Sequence, residues 1–144
     1  MIDPHLITDV KLAENCKLAA YRDTLDILTI GWGHALRDQS QDYLTWTQQQ
    51  ADDQLITDLI GAQAFAQALL EWPALDTPTR QNAVIELCFN LWSRWLPFSN
   101  TRAAIRRQDW QGAHDGLLAT KWATQVGKTR STRLANYLLT GTYP

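Results

Sequence analysis

The sequence predicts an α+β fold, mostly helical, in which a small β-hairpin N-terminal lobe and a larger helical C-terminal lobe flank a cleft. Three observations predict it. Apolar residues recur at helical spacing at the start of the chain and through most of residues 47–140, β-forming residues gather in one short stretch near residues 18–30, and capping pairs such as Asp3-Pro4 and Thr77-Pro78 punctuate the helical part. With 144 residues, 45% apolar and 19% charged, the chain is long enough for one ordinary core, and residues 1–144 read as a single domain. A cleft between unequal lobes is a usual place for a ligand.

Asp3 precedes Pro4, a capping carboxylate ahead of proline at the first helical position, and Leu6, Ile7, Val10 and Ala13 follow at helical spacing. A first helix is expected over residues 4–14, ended by Asn15 in the left-handed conformation, with Glu14 at the helix terminus. Ala20-Tyr21-Arg22 and Ile27-Leu28-Thr29-Ile30 are runs of β-formers separated by Asp23-Thr24-Leu25-Asp26, which predicts a small hairpin. A polar stretch follows Gly31-Trp32-Gly33-His34. Thr47 and Gln50 then have the spacing of a capping box and open a second helix, which continues through Leu55, Ile56 and Leu59 into Ala62–Leu70 until Trp72-Pro73 stops it. Thr77-Pro78 starts a third helix whose apolar positions, Ala83, Val84, Leu87, Cys88 and Leu91, predict that it is buried. Ser93–Phe98 reads as a turn, Ser99 or Asn100 as the cap of a short helix, and Asp109 as the cap of another reaching Leu118. The last helix is expected from Arg130 to Leu139, ending at Gly141.

Composition excludes several classes. Seven Gly and five Pro are too few for a collagenous or low-complexity chain, and the apolar fraction is too high for a disordered one. No window approaches the roughly 18 apolar residues of a membrane span, and the first twenty residues lack a secretory pattern. The net charge of −2 hides an asymmetry: residues 1–93 hold 5 basic and 13 acidic side chains, residues 94–144 hold 8 and 2. That cationic final third suits either a solvated helical surface or a polyanion such as a bacterial envelope. Nucleic acid is not expected, because no zinc-finger spacing or RNA-binding motif accompanies the arginines. Cys16 and Cys88 sit among apolar neighbours, as small buried thiols do, and a bridge between them stays open at this point.

Chemistry concentrates in residues 14–34. Glu14 stands at a helix end, Asp23 on the hairpin nine residues later, and Thr29 six residues beyond, where the hairpin can turn Asp23 and Thr29 to one side. Hydrolysis of a glycoside needs an acid to protonate the leaving oxygen and a carboxylate to activate water or attack carbon, and an inverting pair stands about 6.5 to 9.5 Å apart to admit the water. A hydroxyl such as that of Thr29 can hold it. Taken singly, each residue also has an ordinary structural use: a surface glutamate, a turn cap, a strand former. The glycines at 31 and 33 make a poor phosphate loop, with neither a third glycine nor a lysine after them.

Glu14, Asp23-Thr24 and Thr29-Ile30-Gly31-Trp32-Gly33-His34 together resemble the signature of the phage-type lysozymes, the bacteriophage endolysins, and Phe89-Asn90-Leu91, Ser99-Asn100-Thr101, Lys121-Trp122 and Arg130–Gly141 extend the resemblance over nearly the whole chain. The resemblance implies a lysozyme-like fold. It implies that Glu14 is the general acid, Asp23 the second carboxylate and Thr29 the residue that positions water. It places sugar contacts at Ala35, Phe89 and Thr101, although an aromatic after Leu87-Cys88 is more often a core residue. The implied substrate is peptidoglycan, cut at the β-1,4 bond between N-acetylmuramic acid and N-acetylglucosamine, with no cofactor and no metal. A monomer is expected, and without an export signal it is expected to stay in the host cytoplasm until released to the periplasm or cell wall, or to travel in the virion. His34 is expected to pair with Asp58, and Trp32 and Trp122 to pack rather than bind sugar.

Three positions depart from the family pattern. Asn15 and Asp26 stand where glycine is usual, and both tolerate positive φ. Trp92 replaces the glycine after Phe89-Asn90-Leu91, which requires either negative φ or strain there. Glu14 must also hold its proton near neutral pH, which burial or the Asp23 charge would favour and a pairing with Arg130 would oppose. A lysozyme-like binding or structural protein of a phage particle, and a chitinase-like hydrolase, are the alternatives to a muramidase.

Overall fold

The helix starts expected from local capping are formed. In the computed structural model, which describes residues 1–144, the first helix α1 spans Pro4–Ala13, and the Asp3 side chain accepts from His5 N. Thr77 likewise caps α3 (Pro78–Leu91), accepting from Arg80 N, and Asp109 caps α5 (Trp110–Leu118), accepting from Gly112 N. At the start of α2 (Gln48–Gln67) the capping box closes reciprocally: Thr47 N donates to Gln50 Oε1 at 2.9 Å, and Gln50 N to Thr47 Oγ1 at 3.2 Å. Each cap satisfies amide hydrogens that a helix end would otherwise leave bare.

The chain divides into two compact units, Met1–Gly61 and Ala62–Pro144, with α2 beginning in the first and ending in the second. The first unit holds α1 and a three-stranded antiparallel sheet of β1 (Lys17–Arg22), β2 (Leu28–Gly31) and β3 (His34–Ala35), in that order. Tyr21 pairs with Thr29 and Arg22 with Leu28, while Thr29 pairs with Ala35 and Ile30 with His34. Strand side chains alternate between faces. Leu28 and Ile30 therefore share one face, where they pack with Leu36, Ala20, Leu44 and Trp46 in a small core. Thr29 takes the other. Residues 44–46 run along the free edge of β1, with Ala20 N bonded to Leu44 O and Trp46 N to Leu18 O.

The second unit is helical. Besides the end of α2 it contains α3, α4 (Ser99–Arg106), α5, α6 (Lys121–Gln125) and α7 (Lys128–Thr140), with two short 3-10 turns at Trp72–Ala74 and Trp92–Trp95. Helix α3 is its buried centre, with Ala83, Val84, Leu87 and Cys88 fully buried. Burial pushes the Cys88 thiol up to about 12, which leaves it a protonated packing group. Both cysteines are free thiols, so no bridge joins them. No helix is long and apolar enough to cross a membrane.

Several expectations need correction. Asn15 is not left-handed; the chain leaves α1 through an extended Glu14 (φ −103°, ψ 99°). Helix α2 stops at Gln67 rather than Leu70. The polar stretch after residue 33 contains the short strand β3, and α6 lies in a segment for which no helix was expected. Neither Ser99 nor Asn100 caps α4: Ser99 is already helical, and the capping position is Phe98 with no side-chain bond. The last helix begins at Lys128, before Arg130, and ends as expected at a left-handed Gly141.

The segment Ser93–Phe98, expected as a turn, begins with the 3-10 turn and is held by an ion pair buried beneath it. The Glu71 carboxylate, 0% exposed, accepts from Arg102 Nε at 2.7 Å, Arg102 Nη2 at 2.9 Å and Trp95 Nε1 at 2.8 Å. Arg102 Nη1 also donates to Leu96 O. Buried charges persist only when paired and hydrogen-bonded in this way. Trp92 adopts φ 49° and ψ −124°, a strained conformation for tryptophan, with its ring edge-on to Phe65 at 6.1 Å. Trp92→Gly and Trp92→Ala both lose that ring contact but differ in backbone tolerance. The glycine variant should exceed the alanine variant in unfolding free energy by about 1 kcal/mol or more in a denaturant titration. Equal stabilities would show that the backbone at Trp92 is unstrained.

Candidate active site

The hairpin turn is organised by Asp23. Its Oδ1 accepts from both Leu25 N and Ile27 N at 2.8 Å, and its own backbone N–H donates to Ile27 O at 2.9 Å. The turn reverses the chain in five residues, with Asp26 at φ 62°, a conformation that aspartate tolerates better than most residues. Asp23 therefore does cap the turn, as its ordinary structural reading requires, yet only one oxygen is consumed. Oδ2 takes no part in these bonds.

Register then decides which side chains Asp23 meets. Tyr21 lies two residues before it on β1, directly opposite Thr29, and Thr29 lies directly opposite Ala35. Tyr21, Thr29 and Ala35 consequently share one face of the sheet, and Asp23 follows just beyond the end of β1. Thr29 is 4% exposed, and its hydroxyl donates to Ile27 O at 2.8 Å. With its hydrogen so engaged, Oγ1 can serve only as an acceptor towards anything else.

Glu14 reaches this region from the end of α1. Its amide still bonds Val10 O at 2.8 Å while its extended backbone turns the side chain off the helix, and the carboxylate lies against the Gly31-Trp32-Gly33 bend. A Cβ built on Gly33, which has φ +76°, would sit 2.7 Å from Glu14 Oε2. The second glycine of the motif thus makes room for the first carboxylate.

Two polar anchors tie that bend to α2. The Trp32 indole donates to Asp52 Oδ1 at 2.8 Å, and the Lys11 ammonium lies 5.3 Å from the Trp32 ring centroid. The bonds from Trp32 and Gln48 hold the Asp52 carboxyl below the usual carboxylate range. His34 Nδ1 is 2.8 Å from Asp58 Oδ2, as the sequence suggested, and Gln54 Nε2 donates to the other oxygen of Asp58. The His34 ring also lies over Trp46, with centroids 5.7 Å apart.

Of the residues named from sequence, Glu14, Asp23, Thr29 and Ala35 lie in the first unit, where the sheet brings the last two onto one face. Phe89 and Thr101 lie in the second, on α3 and α4, and are buried at 7% and 2% exposure. Trp122 packs, as expected, its indole donating to Asn90 Oδ1. Arg130 donates through Nε to the buried Glu86 carboxylate, which Arg133 also grips with two bonds. Tyr21 escaped the sequence reading, although it lies only two residues before Asp23. The contact between Gly33 and Glu14 had no sequence signal beyond the glycine itself.

A family model described as Phage lysozyme matches residues 11–136. No curated protein matches the chain.

Because Gly33 combines positive φ with the Glu14 contact, Gly33→Ala should cost about 1 kcal/mol of stability through the backbone alone. It should also push the Glu14 carboxylate aside. The expected result is a more than tenfold loss of wall-lysis rate in a protein whose melting curve remains cooperative. A variant that lyses walls at the wild-type rate would show that the carboxylate position against Gly33 is immaterial.

Proposed function

Since the chain belongs to the phage lysozyme family, a family of glycoside-hydrolase-type peptidoglycan hydrolases, we propose that it is a muramidase. It cleaves the β-1,4 bond between N-acetylmuramic acid and N-acetylglucosamine by an inverting displacement. The observation that carries this reading is the hairpin that ties both Asp23, through its amide, and Thr29, through its hydroxyl, to the Ile27 carbonyl, which leaves the Thr29 hydrogen already committed.

That commitment matters for the geometry of attack. A water molecule held at this hairpin would donate one hydrogen to Thr29 Oγ1 and the other to Asp23 Oδ2, which keeps a lone pair for the anomeric carbon. As the carbon–oxygen bond forms, Asp23 takes the proton it already binds. Glu14 supplies the other proton, to the glycosidic oxygen that leaves. Charge moves from one carboxyl to the other, and no group beyond the chain and the water is consumed. Restraining the water in advance removes orientational freedom that a free solvent molecule would lose at the barrier.

Ala35 is proposed as a sugar contact because it is exposed at the end of the same row of side chains as Thr29. Phe89 and Thr101 are proposed from the family pattern, and their burial confines any contact to a small part of each side chain.

Glu14→Gln keeps the shape of the side chain and removes the transferable proton. Turbidity clearing of purified cell walls should fall at least about a hundredfold, consistent with the usual contribution of a general acid. The melting temperature should stay within a few degrees of the wild type. Mass spectrometry of wild-type digests should find muramic acid at the new reducing ends. Undiminished clearing by Glu14→Gln would remove Glu14 from the acid role, and glucosamine at those ends would replace the muramidase assignment with a different bond specificity.

A further inference from the structure

Tyr21 has no role in the proposed hydrolysis, yet it occupies the centre of the same face. It is the direct cross-strand partner of Thr29 and stands two residues before Asp23. Side chains opposite each other in an antiparallel pair have Cβ atoms about 4.5 to 5.5 Å apart. Whatever lies on Thr29 and Asp23 must therefore also meet the tyrosine ring. The ring is half-buried and pinned: the Lys17 ammonium sits 4.2 Å from its centroid, close enough for the cation to hold the aromatic face. The phenol hydroxyl bonds to no other residue of the chain.

We propose that Tyr21 is a further substrate-binding residue of this site, whose hydroxyl donates a hydrogen bond to a neutral acceptor oxygen of the glycan lying across Thr29. The inference rests on the hydrolytic reading of the same face for its ligand class. Burial first, and then the charges of Glu14 and Asp23, raise the Tyr21 phenol above its ordinary value. It is thus a neutral donor at neutral pH.

The Asp23 charge selects the acceptor. A second carboxylate, such as the lactyl group of a muramic acid, would be repelled by Asp23. A sugar hydroxyl or an N-acetyl carbonyl would not. The phenol therefore orients the uncharged part of the sugar, and Lys17 acts through the ring rather than on the ligand.

The test separates binding from turnover. In the Glu14→Gln background, calorimetric titration with a tetrasaccharide of alternating N-acetylglucosamine and N-acetylmuramic acid reads affinity without hydrolysis. Adding Tyr21→Phe, which removes only the hydroxyl, should weaken binding about fivefold to tenfold, the effect of one neutral hydrogen bond. Lys17→Met, which keeps the length but not the charge, should weaken it by a smaller factor. In the active background, Tyr21→Phe should raise KM by more than it lowers kcat. The melting temperature should hold in each variant, which separates the effect from loss of folding.

Equal affinity of Glu14→Gln and Glu14→Gln/Tyr21→Phe for the tetrasaccharide would overturn the proposal, as would no measurable binding by either. If the wild type fails to cleave the tetrasaccharide but binds it in a Tyr21-dependent manner, the hydrolytic reading fails and the binding role stands. If cleavage proceeds and the tyrosine variant binds as tightly, only the role of Tyr21 is lost.

Discussion

Two amide hydrogens converging on one oxygen of Asp23 set the register of the small sheet, and the candidate site depends on that register. With Leu25 N and Ile27 N both bonded to Oδ1, the hairpin closes so that Tyr21 faces Thr29 and Arg22 faces Leu28. A slip of one residue would exchange the two faces. Thr29 would then enter the cluster of Leu28, Ile30 and Leu36, and those apolar side chains would take its place. The apolar cluster and the reactive face are therefore fixed by one constraint, and a single carboxylate serves both the turn and the proposed chemistry through its two oxygens.

Around that face, positions are held by polar groups locked from behind. The Gly31-Trp32-Gly33 bend is fastened to α2 through Trp32 to Asp52 and His34 to Asp58, and Gly33 leaves the space that the Glu14 carboxylate occupies. The second unit uses the same device more deeply. Glu71 gathers Arg102 and Trp95, and Glu86 gathers Arg130 and Arg133. Each carboxylate would be costly to bury alone, so each specifies a particular arrangement of its donors. The Glu71 cluster anchors the segment following Trp92, where a large side chain sits at positive φ. That the neighbouring residues are so firmly tied offers a physical reason why the strain persists.

Features governed by neighbours along the chain are legible in the sequence itself. Thr47 with Gln50, Thr77 with Pro78, Asp109 and Gly141 act within one helical turn, and all four formed as expected. The mostly helical α+β class followed from the same signals. The pair of His34 with Asp58 apart, features governed by partners distant along the chain were not legible. The strand β3 is two residues long and exists because Thr29 and Ile30 pair with it. Asn15 was compatible with a left-handed helix end, but the chain exits through an extended Glu14 instead. Spacing and family resemblance picked out Glu14, Asp23 and Thr29, and the hairpin accounts for why the last two both bond the Ile27 carbonyl. The pinning of Tyr21 by Lys17 and the fit of Glu14 against Gly33 depend on strand pairing and a bend, which no residue pattern encodes directly.

The central claim is that Asp23 and Thr29 deliver water to the anomeric carbon while Glu14 protonates the leaving oxygen. Proton NMR of a short peptidoglycan glycan, recorded during the first moments of cleavage and before the new reducing end can equilibrate, reads the outcome directly. Direct attack by water on a β-linked sugar predicts the α anomer as the first product. A β anomer appearing first would mean that a covalent glycosyl intermediate intervenes, and would contradict the water-holding role assigned to the hairpin face.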